Sequence, residues 1–429
     1  MANAMNKTKF LIEKFIEHYG NKPEVISSAP GRLDFLNTHQ DYKGLPVVSV
    51  AINMRTYIAL SYSSLGQESK VISLNLCEEG VKCIDRFNAK DPELVPGKWF
   101  GNYIRSVFKA LRNKSFDVES VNVLIYSEIP IASGLASSAA LMVSLLTGLN
   151  KLFGYGLSLK DIAELAYHSE HDIMGIPCGR LDQYGSAMGG ITLINTKPPF
   201  DTETFSNYEW VFVAIDSGIK HSTAEVHSRR ISELTNAVKM LIDMQDLPLN
   251  VKSRLSYDIY NVEWEAINID MIEPFLNKIP VIERNRFLFT LKMNYSTKLA
   301  LELLRKRDVS SMGKIIIDFV ERECPECVRY AIRTDNLILA LISSIVNYQH
   351  VLLRDLYDVS LHELEVIRKT ALENGALGVK ISGAGLGGAM MALVDSYDIA
   401  NRIVMKLSDV ARNSWIVRVD EGARIEFIT

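Results

Sequence analysis

Three groups of residues in this chain have the types and spacing that chemistry needs. Arg32, Asp34, His39 and Asp41 crowd into residues 28–42. Charge at that density is costly unless it is solvated or used. His39 and Asp41, two apart and beside Tyr42, can bond neighbouring hydroxyls on one side of a polyol. A surface ion-pair cluster has the same composition. Glu170 closes one helical stretch, and Asp182 follows a turn containing Gly175, Pro177 and Gly179. If these two carboxylates converge, one can hold a metal ion while the other takes a substrate proton. If they do not, they are a surface carboxylate and a helix cap.

The third group is the small-residue run SEIPIASGLASSAAL, residues 127–141. A short apolar strand (Val121, Val123, Ile125) feeds a Pro-Ile-Ala-Ser-Gly turn, and a helix starts among the serines and alanines and runs to Phe153. Gly134 has no Cβ, so backbone amides there can approach a bulky anion. Ser137 and Ser138 stand where the helix N–H groups have no intrahelical partner. Strand, loop and helix start together form a phosphate cradle. No Lys follows the second small residue, so this is not the G-x-x-x-x-G-K-[ST] loop. Tight helix packing uses the same residue types. A second glycine-rich stretch, residues 378–389, would let two backbones, or a backbone and a phosphate, come close.

The elements that must position these groups read as a mixed α/β chain. At 429 residues there is room for two domains. Helical spacing over residues 9–19 ends at Gly20, and residues 25–27, 47–52, 55–61 and 71–76 read as strands. Residues 85–97 are polar and turn-rich. Residues 99–111 are helical, and Ser158 with Asp161 forms a capping box that opens a helix through residue 172. Asp182 starts a short helix that ends at Gly189 and Gly190, before a strand over residues 191–194. Pro198 and Pro199 mark the domain boundary, dividing the chain into residues 1–199 and 200–429. Residues 211–216 form an apolar strand, residues 224–373 are mainly helical, and residues 415–419 and 425–429 are terminal strands.

Composition narrows the class. A net charge of -4 gives no electrostatic footprint for nucleic acid. The longest apolar run, residues 337–346, is too short to cross a bilayer and contains two serines, so no membrane role is expected. No signal peptide is visible, and five cysteines without a disulfide framework fit a reducing cytoplasm. Cys324 and Cys327 form a lone C-x-x-C, read as a turn between helices.

Taken together and in order, these stretches resemble the GHMP family of small-molecule kinases, in its galactokinase branch. The first motif resembles residues 30–34 through 41–44, the second residues 130–140 and the third residues 380–389. Glu170-His171 with residues 175–183, and Gln349-His350 with residues 353–360, are closer to galactokinases than to the family at large. The resemblance covers residues 29–393. It implies an α+β fold of two domains with the active site in the cleft between them, and transfer of a phosphoryl group from ATP, with Mg²⁺, to the anomeric hydroxyl of a sugar. It assigns Asp182 as the base and Arg32 as the residue that holds the developing charge. Pro130, Ser133, Gly134, Leu135, Ala136, Ser137, Ser138 and Ala139 match the loop over the ATP phosphates. Ser138 and Glu170 match the Mg²⁺ side. Asp34, Thr38, His39, Asp41, Gly179 and Val226 fall at sugar-binding positions. The implied partners are a small-molecule sugar and ATP.

Three positions depart from the galactokinase pattern. Thr38 replaces a Glu that contacts the sugar C6 hydroxyl, Val226 replaces a Tyr, and Asp34 replaces an Asn, the last shared with plant arabinose-kinase-like members. Losing a carboxylate near C6 removes an attraction for a hydroxyl and a repulsion for a carboxylate. The expected substrate is therefore a galacto-configured sugar with C6 altered or missing, such as L-arabinose, D-galacturonate or an L-fucose-like sugar, with Lys220 and His221 near any carboxylate. The alternative is a catalytically silent sugar sensor, which damage to the phosphate loop or to Asp182 would mark. A non-sugar alcohol such as mevalonate or homoserine fits His39, Asp41 and the 178–182 spacing less well.

Overall fold

Twelve strands and the helices around them are seen in a computed structural model that describes residues 2–64, 66–220, 223–305 and 309–429. The strands are β1 (Val25–Leu36), β2 (Val47–Tyr62), β3 (Glu68–Ser73), β4 (Ile84–Asn88), β5 (Val121–Ser127), β6 (Ile191–Ile194), β7 (Thr202–Phe205), β8 (Val211–Asp216), β9 (Gly378–Ile381), β10 (Ala389–Val394), β11 (Asn413–Arg418) and β12 (Arg424–Ile428). They belong to two compact units. One comprises Met1–Arg32, Val50–Thr192 and Val419–Thr429; the other comprises Leu33–Ser49 and Leu193–Arg418. The units interleave along the chain, whereas the sequence reading divides it once, after residue 199.

In the first unit the sheet order is β12-β1-β2-β5-β3-β4. β2 runs antiparallel to β5, with Thr56 opposite Ser127, and β3 runs parallel to β5. The helix Ala2–Tyr19 lays Leu11 and Phe15 onto Ile26, Tyr57 and Leu124. The helix Ser137–Phe153 comes close to the same sheet at Gly148, where a Cβ would stand 2.6 Å from a Leu60 methyl and 2.7 Å from Ser27 Oγ. Ser27 Oγ donates to Ser144 O at 2.7 Å, which fixes the depth of that helix. Arg55, 1% exposed, explains why the C-terminal strand belongs here. Its guanidinium donates to Asp420 Oδ2, Glu421 O and Gly422 O at 2.7–2.9 Å, so a buried cation and the returning chain satisfy each other.

The second unit holds an antiparallel sheet in the order β11-β8-β10-β9. The helix Leu337–Asp355 packs behind it. A Cβ at Gly378 would stand 2.8 Å from Ser343 O, so only glycine permits that approach. Asn347 on the helix accepts from Val379 N at 3.0 Å and donates to Leu377 O at 2.9 Å. The helices Thr223–Asp243 and Val281–Arg305 enclose a second core around Leu234, Leu241, Trp264 and Phe287.

Several expectations change. The strand expected over residues 25–27 continues to Leu36, and every residue in it is buried, so Arg32 and Asp34 lie on a strand and not in a loop. The strands expected at 47–52 and 55–61 are one, β2. Residues 74–78 turn into a short helix after β3. The capping box at Ser158 is present, but its helix ends at His168 and Glu170 sits in a wider π-helical turn, Ser169–Ile173. The apolar run 337–346 belongs to a 19-residue helix that is long and apolar enough to cross a membrane by length and composition. It is 78% buried, as a core helix is. Cys77 is joined to Cys83 and Cys324 to Cys327, because local turns bring their Cα atoms to 5.1 and 5.4 Å. Cys324 and Cys327 do stand at the turn between the helices Val309–Glu323 and Pro325–Ala331, as expected.

Candidate active site

In the first unit, Arg32 joins two of the expected groups. Its Nε and Nη2 both donate to Asp182 Oδ1, at 2.9 and 2.6 Å, and its Nη1 donates to Gly134 O at 2.7 Å. The Arg32 side chain is 8% exposed, while that of Asp182 is 31% exposed. Arg32 comes from β1 and Asp182 from the first turn of the helix Leu181–Met188. Arg32 N also donates to Leu135 O at 3.1 Å, and Gly31 leaves no room for a Cβ, which would stand 2.7 Å from that oxygen. Strand β1 and the small-residue loop therefore meet backbone to backbone.

The loop has the geometry of an anion cradle. Ala132, Gly134 and Ala136 take left-handed conformations with φ of 58°, 76° and 60°. Backbone N–H groups turned inward in this way form concave nests. Ser133 Oγ donates to Pro130 O at 2.8 Å and holds the loop's entry. The helix Ser137–Phe153 starts after Ala136 with no side-chain cap, so its first N–H groups carry the positive end of the helix. Leu135 and Ala139 are buried beneath the loop; Gly134 is exposed, and Ser137 and Ser138 are half-buried.

Glu170 lies beside this loop. Gln183 Nε2 donates to its Oε2 at 2.7 Å, and the Ser138 hydroxyl bonds to it as well. Burial, followed by the negative charge of Asp182, pushes its carboxyl up to about 7, against the opposing hydrogen bonds of Ser138 and Gln183. The Oε1 of Gln183 is buried without a hydrogen-bond partner. Two oxygen ligands and an under-compensated carboxylate fit a hard divalent cation, which needs one or two carboxylates and takes the rest of its ligands from phosphate and water. Among the described residues there is no larger cluster of metal-binding side chains.

The remaining expected residues lie in the second unit, apart from Gly179, which is exposed in the turn ahead of Asp182. His39 is buried and both ring nitrogens are engaged, Nδ1 with Tyr42 Oη at 3.1 Å and Nε2 with Ala384 O at 3.0 Å. Burial, then His227 and Lys43, hold its pKa well below the usual histidine range. Asp41 opens a short 3₁₀ turn and Asp34 lies on β1. Thr38 donates to Asp34 Oδ1 at 3.0 Å and accepts from Lys380 Nζ at 2.7 Å. Val226 is buried in the first turn of its helix, next to His227, whose ring lies 5.1 Å from that of His39. Lys220 is exposed; His221 and the side chains of Ala224 and Glu225 lie outside the described residues.

The glycine-rich stretch over residues 378–389 braces the first motif. Ser382 Oγ accepts from Asp34 N at 2.8 Å, and Lys380 Nζ donates to Asp34 O at 2.9 Å. A Cβ at Gly385 would stand 2.5 Å from Val359 O, and Leu386 N donates to that oxygen at 2.7 Å. Tyr42 bonds Tyr357 hydroxyl to hydroxyl. Lys380, Ser382, Tyr357, His227 and Gln183 were all without an assigned role in the sequence. Lys380 left a signal there, as one lysine inside the apolar run of β9.

Comparison with known proteins places the chain in a family. Residues 102–190 match the GHMP kinases N terminal domain, residues 13–62 the galactokinase galactose-binding signature, and residues 337–413 the GHMP kinases C terminal domain. A galactokinase of Clostridium tetani is 27% identical over 404 residues, covering 92% of this chain and 89% of the relative. A galactokinase of Thermococcus kodakarensis is 27% identical over 376 residues, covering 86% and 88%. The structure of Lactococcus lactis galactokinase complexed with galactose has the same fold, with a TM-score of 0.72 at 22% identity over 97% of this chain and 99% of that one. With its N- and C-terminal domains and its galactose-binding signature all matched, the chain belongs to the GHMP kinase family, in the galactokinase branch.

Proposed function

We propose that this protein transfers the γ-phosphoryl group of ATP directly to the anomeric hydroxyl of a galactose-like monosaccharide. The observation that carries this reading is Arg32, which binds the Asp182 carboxylate and the Gly134 carbonyl of the loop with one guanidinium. Asp182 takes the anomeric proton, the freed oxygen attacks the γ-phosphorus in line, and ADP leaves. No phospho-enzyme forms. Arg32 holds Asp182 at a fixed place relative to the loop and stabilises the charge that develops on the transferring group. Amides of residues 133–139 cradle the phosphates, with Pro130 at the loop entry. Ser138 and Glu170 would hold Mg²⁺, which when bound would supply the charge neutralisation that a phosphoryl transfer requires.

His39, Asp41, Asp34, Thr38, Gly179 and Val226 serve the sugar. The absence of a carboxylate at Thr38 supports a sugar whose C6 is altered or missing, such as L-arabinose or D-galacturonate. Intact Arg32, Gly134, Ser138, Glu170 and Asp182 support an enzyme over a silent sensor. The test is ADP release with Mg²⁺ over a panel of D-galactose, N-acetylgalactosamine, L-arabinose, L-fucose and D-galacturonate. Turnover of a galacto-configured sugar is expected. Sugar binding without turnover on any of them would leave the sensor.

A further inference from the structure

We propose that Gln349 and Tyr357 are positioning residues that hold the strained turn at residues 37–42, with His39 locked as its Nε2–H tautomer. Both come from residues 349–360, a stretch similar to galactokinases that the transfer chemistry does not use. The inference rests on the kinase reading above only in giving this turn to the sugar.

Asn37 and His39 stand two apart with φ of 64° and 66°. A residue other than glycine is strained in this region and persists only where its surroundings over-determine it. Here each of the two is tied down by hydrogen bonds whose direction the chemistry of the groups dictates.

On the Asn37 side the anchor is a buried amide. Ser296 Oγ and Thr297 Oγ1 each spend their proton on Met293 O, at 2.8 and 3.0 Å. They can therefore only accept from Gln349, whose Nε2 donates to them at 3.1 and 2.8 Å. That orientation turns Gln349 Oε1 toward Asn37 N, which donates to it at 3.2 Å. Asn37 Nδ2 also donates to Asn294 Oδ1 at 3.1 Å. Gln349, Ser296, Thr297 and Asn37 are all buried, so water does not replace a lost partner cheaply.

On the His39 side the anchor is a chain of hydroxyls. A carbonyl oxygen only accepts, so His39 Nε2 carries the proton of its 3.0 Å bond to Ala384 O. Burial, then His227 and Lys43, keep the ring neutral, which makes Nδ1 an acceptor. Tyr42 Oη donates to Nδ1 at 3.1 Å. The Tyr42 proton is then spent, and the bond between the two tyrosines has Tyr357 as its donor. Tyr357 is fully buried, with its ring stacked on Phe289 at 3.9 Å between centroids. The chain thus runs one way, from Tyr357 through Tyr42 and His39 to Ala384. Both ring nitrogens of His39 are spent within the protein, so His39 acts through the turn it closes. That turn carries Asp41, half-buried at the start of its 3₁₀ segment.

The experiment reads the His39 ring nitrogens by NMR at neutral pH, with and without D-galactose or L-arabinose. Kinetics, calorimetric sugar affinity and melting of Tyr357→Phe and Gln349→Met run alongside. The natural protein should show a neutral Nε2–H ring that sugar does not change. Tyr357→Phe should raise the KM for sugar about twofold to tenfold, the worth of one lost hydrogen bond, and leave the KM for ATP unchanged. Gln349→Met should raise the KM for sugar by at least as much. An Nδ1–H or charged His39 ring overturns the proposal, as does a tautomer that switches when sugar binds. A folded Tyr357→Phe that melts lower with its sugar KM unchanged has only a structural role there, and overturns it too. If Gln349→Met does not fold, Tyr357→Phe and the ring nitrogens decide. If no sugar is turned over, the kinase reading fails, and the tautomer with the calorimetric affinities still decides this one.

Discussion

Replacing Arg32 tests the link between carboxylate and loop more sharply than any other single change. The guanidinium makes three hydrogen bonds, two to Asp182 Oδ1 and one to Gly134 O, from a side chain 8% exposed. Arg32→Lys keeps a positive charge near Asp182, but a point charge cannot reproduce the fork that spans both partners. Arg32→Met removes the charge and leaves the Gly134 carbonyl without its side-chain donor. Losing one preorganised donor in a site of this kind lowers kcat by about 10²–10³, or about 3–4 kcal/mol. For folding, the Asp182 contacts count little because that carboxylate is 31% exposed and screened. The part-buried bond to Gly134 O contributes about 1 kcal/mol. Arg32→Met should therefore lose about 10²–10³ in kcat while melting only a few degrees lower, and Arg32→Lys should lose at least about tenfold. The assay is coupled ADP release at saturating sugar, with calorimetric unfolding in parallel. A kcat for Arg32→Lys within twofold of the natural protein, in a fully folded variant, would refute the joint role of the guanidinium.

Other changes have defined outcomes. Gly31→Ala puts a Cβ 2.7 Å from Leu135 O and should cost about 1–3 kcal/mol of stability with a raised KM for ATP, read by unfolding and kinetics. Glu170→Gln removes a carboxyl whose pKa, raised to about 7 by burial and then by Asp182, opposes folding as pH rises. Without Mg²⁺ this variant should melt higher than the natural protein at pH 8 and equally at pH 4, while its activity needs more Mg²⁺. His350 is fully buried, and burial lowers its pKa from 6.5 to about 4 despite the Glu365 carboxylate, with Arg368 and Arg354 adding to the depression. A base with a depressed folded pKa adds stability that is present above pH 6.5 and lost as pH falls toward 4. On the order of 3 kcal/mol should vanish over that window in denaturant titrations, and His350→Gln should flatten the slope.

Local signals in the sequence located the elements that carry the candidate residues more reliably than they located the partners of those residues. The helix start at Ser137 and the helix around Asp182 follow from glycine-containing turns and periodicity, and the helix at Ser158 from its capping box, all of which act over a few residues. Pro30 and Gly31 stand beyond the strand expected over residues 25–27, yet they lie within a buried strand. The pairing of β1 with β12 stops at Ser28, so Pro30 loses nothing to that partner strand by lacking an N–H. That pairing joins residues nearly 400 apart, and no local pattern encodes it. The same holds for Lys380, whose partners Asp34 and Thr38 come from the other end of the chain. The interleaving of the units has a similar source, since Arg55 recruits residues 420–422 to the first of them. Glu170 is expected at a helix end, whereas a wider π turn carries it, a distinction that no residue type in the stretch encodes.

The most direct test of the central claim is the identity of the product. Phosphorus NMR of a reaction containing ATP, Mg²⁺ and the best galacto-configured sugar should show a sugar 1-phosphate and ADP in equal amounts. Asp182→Asn should bind the same sugar and form neither. A phosphate on any other hydroxyl, or full activity in Asp182→Asn, would contradict the account.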